Sequence, residues 1–160
     1  MKKLILLIIF SWVLSDLEAQ DAKPYDPQAN ASKDIHKAIE QAQEENKHII
    51  LMIGGNWCPW CRKLNSFLEA NDAIDSLLKS DFVMVKVNYS KENKNLSTLS
   101  KYGYPQRFGF PVLVVLNAEG KRIHTQNTVY LEEGKGYNAD RIISFLKAWR
   151  PEALNPENYK

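Results

Sequence analysis

Cysteine is scarce in this chain, with two residues among 160, Cys58 and Cys61, three positions apart. Two cysteines cannot build the multi-disulfide framework of small extracellular domains. They also fall short of a structural zinc site, which needs four ligands, because His36, His48 and His124 are isolated from one another. We therefore expect no resident metal, although two thiolates alone could hold copper(I), and that alternative stays open.

Long apolar runs are also missing, and none reaches the roughly 20 residues that a transmembrane helix needs. The run at residues 4–14, broken only by Ser11, follows two lysines and precedes a short segment that ends at Ala19. This order predicts a secretory signal peptide at residues 1–19, with an uncleaved anchor as the alternative. We expect an exported protein, periplasmic or secreted, with no stable membrane insertion after cleavage.

Neither sign of charge dominates, since the chain has 21 lysines and arginines and 19 acidic residues. The lysines are scattered among glutamates without a basic stripe, so we expect no nucleic-acid partner. Cleavage after Ala19 leaves 141 residues, which suits one domain. We predict a flexible lead-in at 20–31, a monomeric domain at 32–150 and a C-terminal tail at 151–160.

Apolar patterning predicts alternating helices and strands. Ser32 is a candidate N-cap for a first helix that ends near Asn46, and continuous apolar runs predict buried strands. The expected strands are 48–53, 81–88, 112–116 and 121–126. Later helices are expected after Cys58 and at 72–79, 96–102 and 142–149, whereas residues 127–137 carry no clear pattern. The first strands should pair in parallel and the last two as a hairpin, giving an α/β fold with helices on both faces of a mixed sheet.

The cysteine pair follows the first strand and begins the next helix. A disulfide that closes so short a loop contributes only about 2 kcal/mol in the chain-entropy model, which disfavours a purely structural role. Backbone N–H groups at a helix start favour a thiolate at Cys58, and Pro59 fits the first helical turn. Cys61, one turn further in, should be more buried and suits a resolving thiol. The pattern predicts thiol–disulfide exchange.

Two motifs resemble those of thioredoxin-fold proteins. Residues 57–61, Trp-Cys-Pro-Trp-Cys, resemble the family's W-C-x-x-C active site at the end of an apolar strand. Phe110 and Pro111, which open the strand at 112–116, match the cis-proline that faces the dithiol. The likeness covers about residues 32–150 and implies a thioredoxin fold.

The resemblance also implies roles for individual residues. Cys58 would attack a substrate disulfide, and Cys61 would then close the redox-active disulfide with it. The residues that would contact substrate are Trp57, Pro59, Trp60, Phe110 and Pro111.

Two upstream residues depart from the family's pattern. The acidic residue that thioredoxins bury six positions before the first cysteine is Met52 here, and their frequent tryptophan is Gly54. The dipeptide between the cysteines is Pro-Trp rather than Gly-Pro. Because the buried carboxylate assists proton transfer, we expect slower reduction than in thioredoxins or a substitute group elsewhere.

The sequence therefore predicts an exported enzyme that exchanges disulfides with protein substrates, needs no bound cofactor and is reset by a redox partner. A binding protein, either a copper(I) carrier or a chaperone, is the alternative, as is a module whose disulfide stays oxidised. The direction of electron flow is not predicted, because potentials in this family span roughly 150 mV.

Overall fold

The computed structural model describes residues 23–160, so the predicted signal peptide lies outside the described residues. This part of the chain contains five α-helices and six strands. The helices are α1 (Ala31–Glu45), α2 (Pro59–Ala70), α3 (Asp72–Asp81), α4 (Leu96–Lys101) and α5 (Ala139–Trp149). The strands are β1 (His48–Gly54), β2 (Phe82–Asn88), β3 (Val112–Leu116), β4 (Arg122–Asn127), β5 (Glu132–Glu133) and β6 (Gly136–Tyr137).

A four-stranded mixed sheet in the order β2-β1-β3-β4 forms the centre of the molecule. β1 and β2 are parallel, as the sequence predicts, and β3 and β4 form the predicted antiparallel hairpin. β3 also runs antiparallel to β1, which the helix–strand alternation does not predict. The reason is that β2 ends and β3 begins at the same end of the sheet. Asn88, the last residue of β2, pairs with Gly54, and Val112, the first residue of β3, pairs with Ile53. The short α4 connection stays at that end, so the next strand must run back.

Helices cover both faces of this sheet, which confirms the predicted fold class. Side chains of β1 alternate between the two faces, as in any strand. Ile49, Leu51 and Ile53 pack with α1 and α4, while Ile50 and Met52 pack with α2, α3 and α5. The cysteine pair belongs to this second apolar layer.

The first helix begins earlier than the sequence predicts. Asn30, not Ser32, is the N-cap, because its side-chain oxygen accepts a hydrogen bond from the backbone N–H of Lys33 at 3.0 Å. Ala31 is the first residue of the helix, and it is buried against the face of the sheet that α1 covers. The predicted end is confirmed, since Asn46 closes α1 in a left-handed conformation.

Residues without a clear pattern form short, irregular structure. A 3-10 turn at Thr128–Leu131 leads into the ribbon of β5 and β6, which carries Tyr137 to the start of α2. The C-terminal residues form two further 3-10 turns, Pro151–Leu154 and Pro156–Tyr159. Between residues 23 and 160, no helix combines the length and the apolar character that crossing a bilayer requires.

Candidate active site

The two cysteines form a disulfide at the junction between β1 and α2, with their Cα atoms 5.2 Å apart. Cys58 is the N-cap of α2, and Pro59 occupies the first helical turn. The Cys58 backbone N–H donates to the Gly55 carbonyl at 3.0 Å, which closes the turn that joins strand to helix. The predicted position of the pair at a helix start is therefore confirmed.

The sulfur of Cys58 lies where an anion is favoured. It accepts a hydrogen bond from the Cys61 backbone N–H at 3.2 Å. After reduction, this donor and the helix macrodipole would stabilise a Cys58 thiolate. Cys58 is 4% exposed and Cys61 is fully buried, so Cys58 is the more accessible of the two residues.

An aromatic cluster lies beside the disulfide. The Trp57 side chain is 56% exposed, and its indole N–H donates to the Tyr89 carbonyl at 2.6 Å. Phe110 packs edge-on against Trp57, with ring centroids 5.6 Å apart, and against Tyr89 at 4.7 Å. A groove of about 390 Å³ runs from Trp57 and Tyr89 along the loop after β2.

Of the residues predicted to contact substrate, only Trp57 and Phe110 belong to this aromatic cluster. Pro59 is exposed beside the disulfide, and Pro111, after a cis peptide bond, is buried at the start of β3. Trp60 is half-buried on the other side, where it packs edge-on against Tyr137 at 5.5 Å. The Nζ atom of Lys63 lies over the Trp60 ring, 4.6 Å from its centroid.

Tyr25 lies against the cysteine pair, although the sequence offers no periodicity that predicts it. It is 2% exposed and belongs to the same buried cluster as Met52, Cys58 and Cys61. Its backbone N–H donates to the Asn56 side-chain oxygen at 3.0 Å, and the Asn56 amide donates back to the Tyr25 carbonyl at 2.7 Å. The one available signal was compositional, since Tyr25 is the sole aromatic residue between positions 20 and 31.

Gly54 makes room for this arrangement. A Cβ atom at Gly54 would lie 2.6 Å from the Cys61 Sγ and 2.8 Å from the Tyr25 hydroxyl oxygen. Both distances are too short for any side chain, so the two groups occupy the space that a larger residue would need. The departure from the family's tryptophan at this position thus has a steric reason.

The sheet order, together with the disulfide at the start of α2, defines the class of the molecule as a thioredoxin-fold protein. A sequence model described as thioredoxin-like matches residues 29–118, more than half of the chain. The chain belongs to the thioredoxin-like family.

Known relatives agree with this assignment. The chain is 31% identical to a structure described as disulphide isomerase from Xylella fastidiosa Temecula1, with a TM-score of 0.69, covering 78% of this chain and 94% of that one. It is 28% identical over 96 residues to the disulfide bond reductase DsbH of Chlamydia pneumoniae, covering 54% of this chain and 56% of that protein. The C-terminal domain of DsbD from Neisseria meningitidis, 17% identical with a TM-score of 0.55 over 76% of this chain and 97% of that domain, shares the fold.

A further curated relative is the human spermatogenesis-associated protein 20, which is 40% identical over 52 residues, 32% of this chain and 7% of that protein. The chain therefore spans little more than half of one curated relative and a small part of the other.

Proposed function

We propose that this protein is exported and reduces or rearranges disulfides in other proteins through the Cys58–Cys61 dithiol. The observation that carries this proposal is the Cys58 sulfur at the start of α2, which accepts the Cys61 N–H, with the Cys61 sulfur buried behind it. One similar protein is named a reductase and another an isomerase. Both activities begin from a reduced dithiol, so we propose the dithiol as the working state.

The reaction follows from the two sulfurs. The Cys58 thiolate attacks one sulfur of a substrate disulfide, and the other substrate sulfur leaves as a thiolate that takes a proton from solvent. Cys61 then loses its proton to solvent and attacks Cys58, which releases the second substrate thiolate and forms the Cys58–Cys61 disulfide. The substrate gains two electrons, and the dithiol loses two. A separate redox partner with a dithiol of its own then reduces the pair again.

The wild-type protein tests this proposal without any substitution. We expect the reduced protein to speed up the reduction of insulin by dithiothreitol, and the Cys58–Cys61 couple to have a potential between about −180 and −270 mV. A potential near −120 mV would instead indicate an oxidase. Stoichiometric binding of copper(I) by a protein that does not reduce insulin would contradict the proposal and favour a copper carrier.

Export can be tested separately. The signal pattern of residues 1–19 predicts that expression in a Gram-negative host places the protein in the periplasm, with Gln20 as its first residue. Cell fractionation and the mass of the intact mature chain measure both. A full-length chain that stays with the membrane would show that the segment is an uncleaved anchor.

We further propose that Trp57 and Phe110 contact the polypeptide around a substrate disulfide, with Pro59 and Pro111 beside them. Support comes from the exposed indole of Trp57, which is held by Tyr89 and Phe110 next to the sulfurs. Trp60, which is half-buried and packs against Tyr137, would contact substrate with the part of its ring that stays exposed.

Replacing Trp57 by alanine should therefore weaken binding of protein substrates. We expect the KM for insulin to rise about fivefold, since an aromatic contact contributes roughly 1 kcal/mol, while reduction of a small aliphatic disulfide is unchanged. Tyr159→Ala is the matched control, because Tyr159 is 76% exposed and lies at the C-terminal end of the chain. Equal losses on both substrates would contradict a role in binding and indicate damage to the dithiol.

A further inference from the structure

The hydroxyl group of Tyr25 is buried without a protein partner. Among the described residues, three buried side-chain polar atoms make no hydrogen bond, and the Tyr25 oxygen is one of them. Leaving such a group unpaired is costly, so native structures seldom do it without a functional or structural reason. A phenylalanine ring would fill most of the same space without leaving a polar atom unpaired.

The position of this oxygen points to its partner. It lies 2.8 Å from the point that a Cβ atom at Gly54 would occupy, and the Cys61 Sγ lies 2.6 Å from the same point. The two atoms are therefore neighbours above the last residue of β1. While Cys61 is bonded to Cys58, its sulfur carries no charge and attracts a donor only weakly.

Hydrogen bonds hold the segment that carries Tyr25 at Tyr25 itself and again at two residues that follow it. Asn56, two residues before Cys58, exchanges two hydrogen bonds with the Tyr25 backbone. The Asn93 amide donates to the carbonyls of Pro27 and Ala29 at 3.3 and 3.4 Å. These contacts hold the phenol against the cysteine pair with little freedom to move away.

We propose that the Tyr25 hydroxyl donates a hydrogen bond to the Cys61 thiolate when the disulfide is open, and so favours the resolving step. This inference rests on the proposed function. In that step Cys61 loses its proton to solvent, its thiolate attacks the Cys58 sulfur of the mixed disulfide, and the substrate thiolate leaves. Tyr25 keeps its own proton throughout, so the step stays balanced. Met52 stands on β1 at the position that the resemblance assigns to the thioredoxin carboxylate, and Tyr25 belongs to the same buried cluster as Met52 and the two cysteines.

The acid–base properties of the phenol fit a donor rather than a base. Burial, and secondly the nearby Tyr137 on β6, raise the pKa of Tyr25 far above its ordinary value. Tyr25 therefore stays neutral and protonated at physiological pH. Arg62 follows Cys61 on α2, and its charge remains the same in every variant compared below.

The test uses the fact that the chain has two cysteines. Cys58→Ser leaves Cys61 as the single thiol, so the ultraviolet absorbance of thiolate reports on Cys61 alone. We expect Tyr25→Phe in this background to lower the thiolate fraction at neutral pH about tenfold, because hydrogen bonds to charged groups have this strength. Tyr102→Phe is the matched control, since its phenol is partly buried on the opposite face of the sheet.

A second measurement follows the resolving step itself. With Cys58 and Cys61 both present, Tyr25→Phe should slow release of substrate from the mixed disulfide about threefold. The effect is smaller than tenfold because a more basic thiolate is also more nucleophilic. The first attack by Cys58, measured in a Cys61→Ser background, should not change.

Two outcomes would overturn the inference. One is an equal thiolate fraction with tyrosine and phenylalanine at position 25, and the other is an equal loss in the Tyr102→Phe control. Folding is checked by urea denaturation of the oxidised protein, in which Tyr25→Phe should be neutral or stabilising, since the lost hydroxyl had no partner. The thiolate measurement needs no substrate, so it separates this inference from the proposed function, which the insulin assay tests alone.

Discussion

A Cys61→Ser variant is expected to remain joined to its substrates by disulfides that it cannot release. Cys58 keeps its position as N-cap of α2 in this variant, so attack on a substrate disulfide proceeds. The serine hydroxyl cannot displace the substrate from Cys58, and the mixed disulfide accumulates. Non-reducing gel electrophoresis of the protein taken from cells should show discrete bands above the free chain, and these bands should disappear with reductant.

The matched control is Cys58→Ser, which keeps one cysteine but removes the accessible sulfur. It should give no bands and no insulin reduction. Equal trapping by both variants would contradict the assignment of Cys58 as attacking residue and Cys61 as resolving residue. Insulin reduction that persists in Cys58→Ser would contradict the proposed function as a whole.

Gly54→Ala is expected to destabilise the protein by about 1–3 kcal/mol, the usual range for overpacking in a core. The added Cβ would lie 2.6 Å from the Cys61 Sγ and 2.8 Å from the Tyr25 hydroxyl. The sulfur is fixed by the helix and the disulfide, so the phenol must move. Urea denaturation of the oxidised protein measures the loss, and the resolving step should slow as well because its hydrogen-bond donor is displaced.

Gly136→Ala is the control for this substitution. A Cβ at Gly136 would meet nothing within 4 Å, and its φ is not in the left-handed region. It should therefore be neutral or slightly stabilising, as glycine-to-alanine changes are where the backbone allows them. In a Tyr25→Phe background, Gly54→Ala should cost less, since one of the two close atoms is absent. An undiminished cost would show that Tyr25 is not the group displaced.

The fold could be predicted to the extent that each element carries its own pattern. β1, β2 and β3 are continuous runs of apolar and β-branched residues, and their observed bounds lie within about one residue of the predicted ones. The start of α1 was predicted wrongly because Asn30 and Ser32 are both good caps, and packing of Ala31 against the sheet selects the earlier one. The ribbon of β5 and β6 has two residues in each strand, too few for any period to show.

The site was predictable where its residues are adjacent in sequence. Cys58, Cys61 and Pro59 follow from the end of a strand and the start of a helix, and Phe110 and Pro111 from a resemblance. Tyr25 and Tyr89 could not be predicted from the sequence because their contacts join distant segments. Tyr25 forms hydrogen bonds with Asn56, 31 residues further along the chain, and the Trp57 indole donates to the carbonyl of Tyr89, 32 residues further along. Contacts of this kind depend on how elements pack, and no local pattern encodes them.

The double hydrogen bond between Tyr25 and Asn56 has a consequence for where this domain can be cut. Helical periodicity places the first residue of the domain at Ser32, and the family match begins at residue 29. A fragment begun at residue 29 would retain both cysteines, the sheet and all five helices, whereas one begun at Ser32 would also lack the N-cap and the first residue of α1. Both fragments would lose Tyr25. Either fragment would keep the Cys58–Cys61 pair and both sequence motifs, but it would lack the Tyr25 phenol that packs against the pair. A fragment that keeps the complete active site must therefore begin before Tyr25, upstream of the boundary at residue 29 that the family match gives.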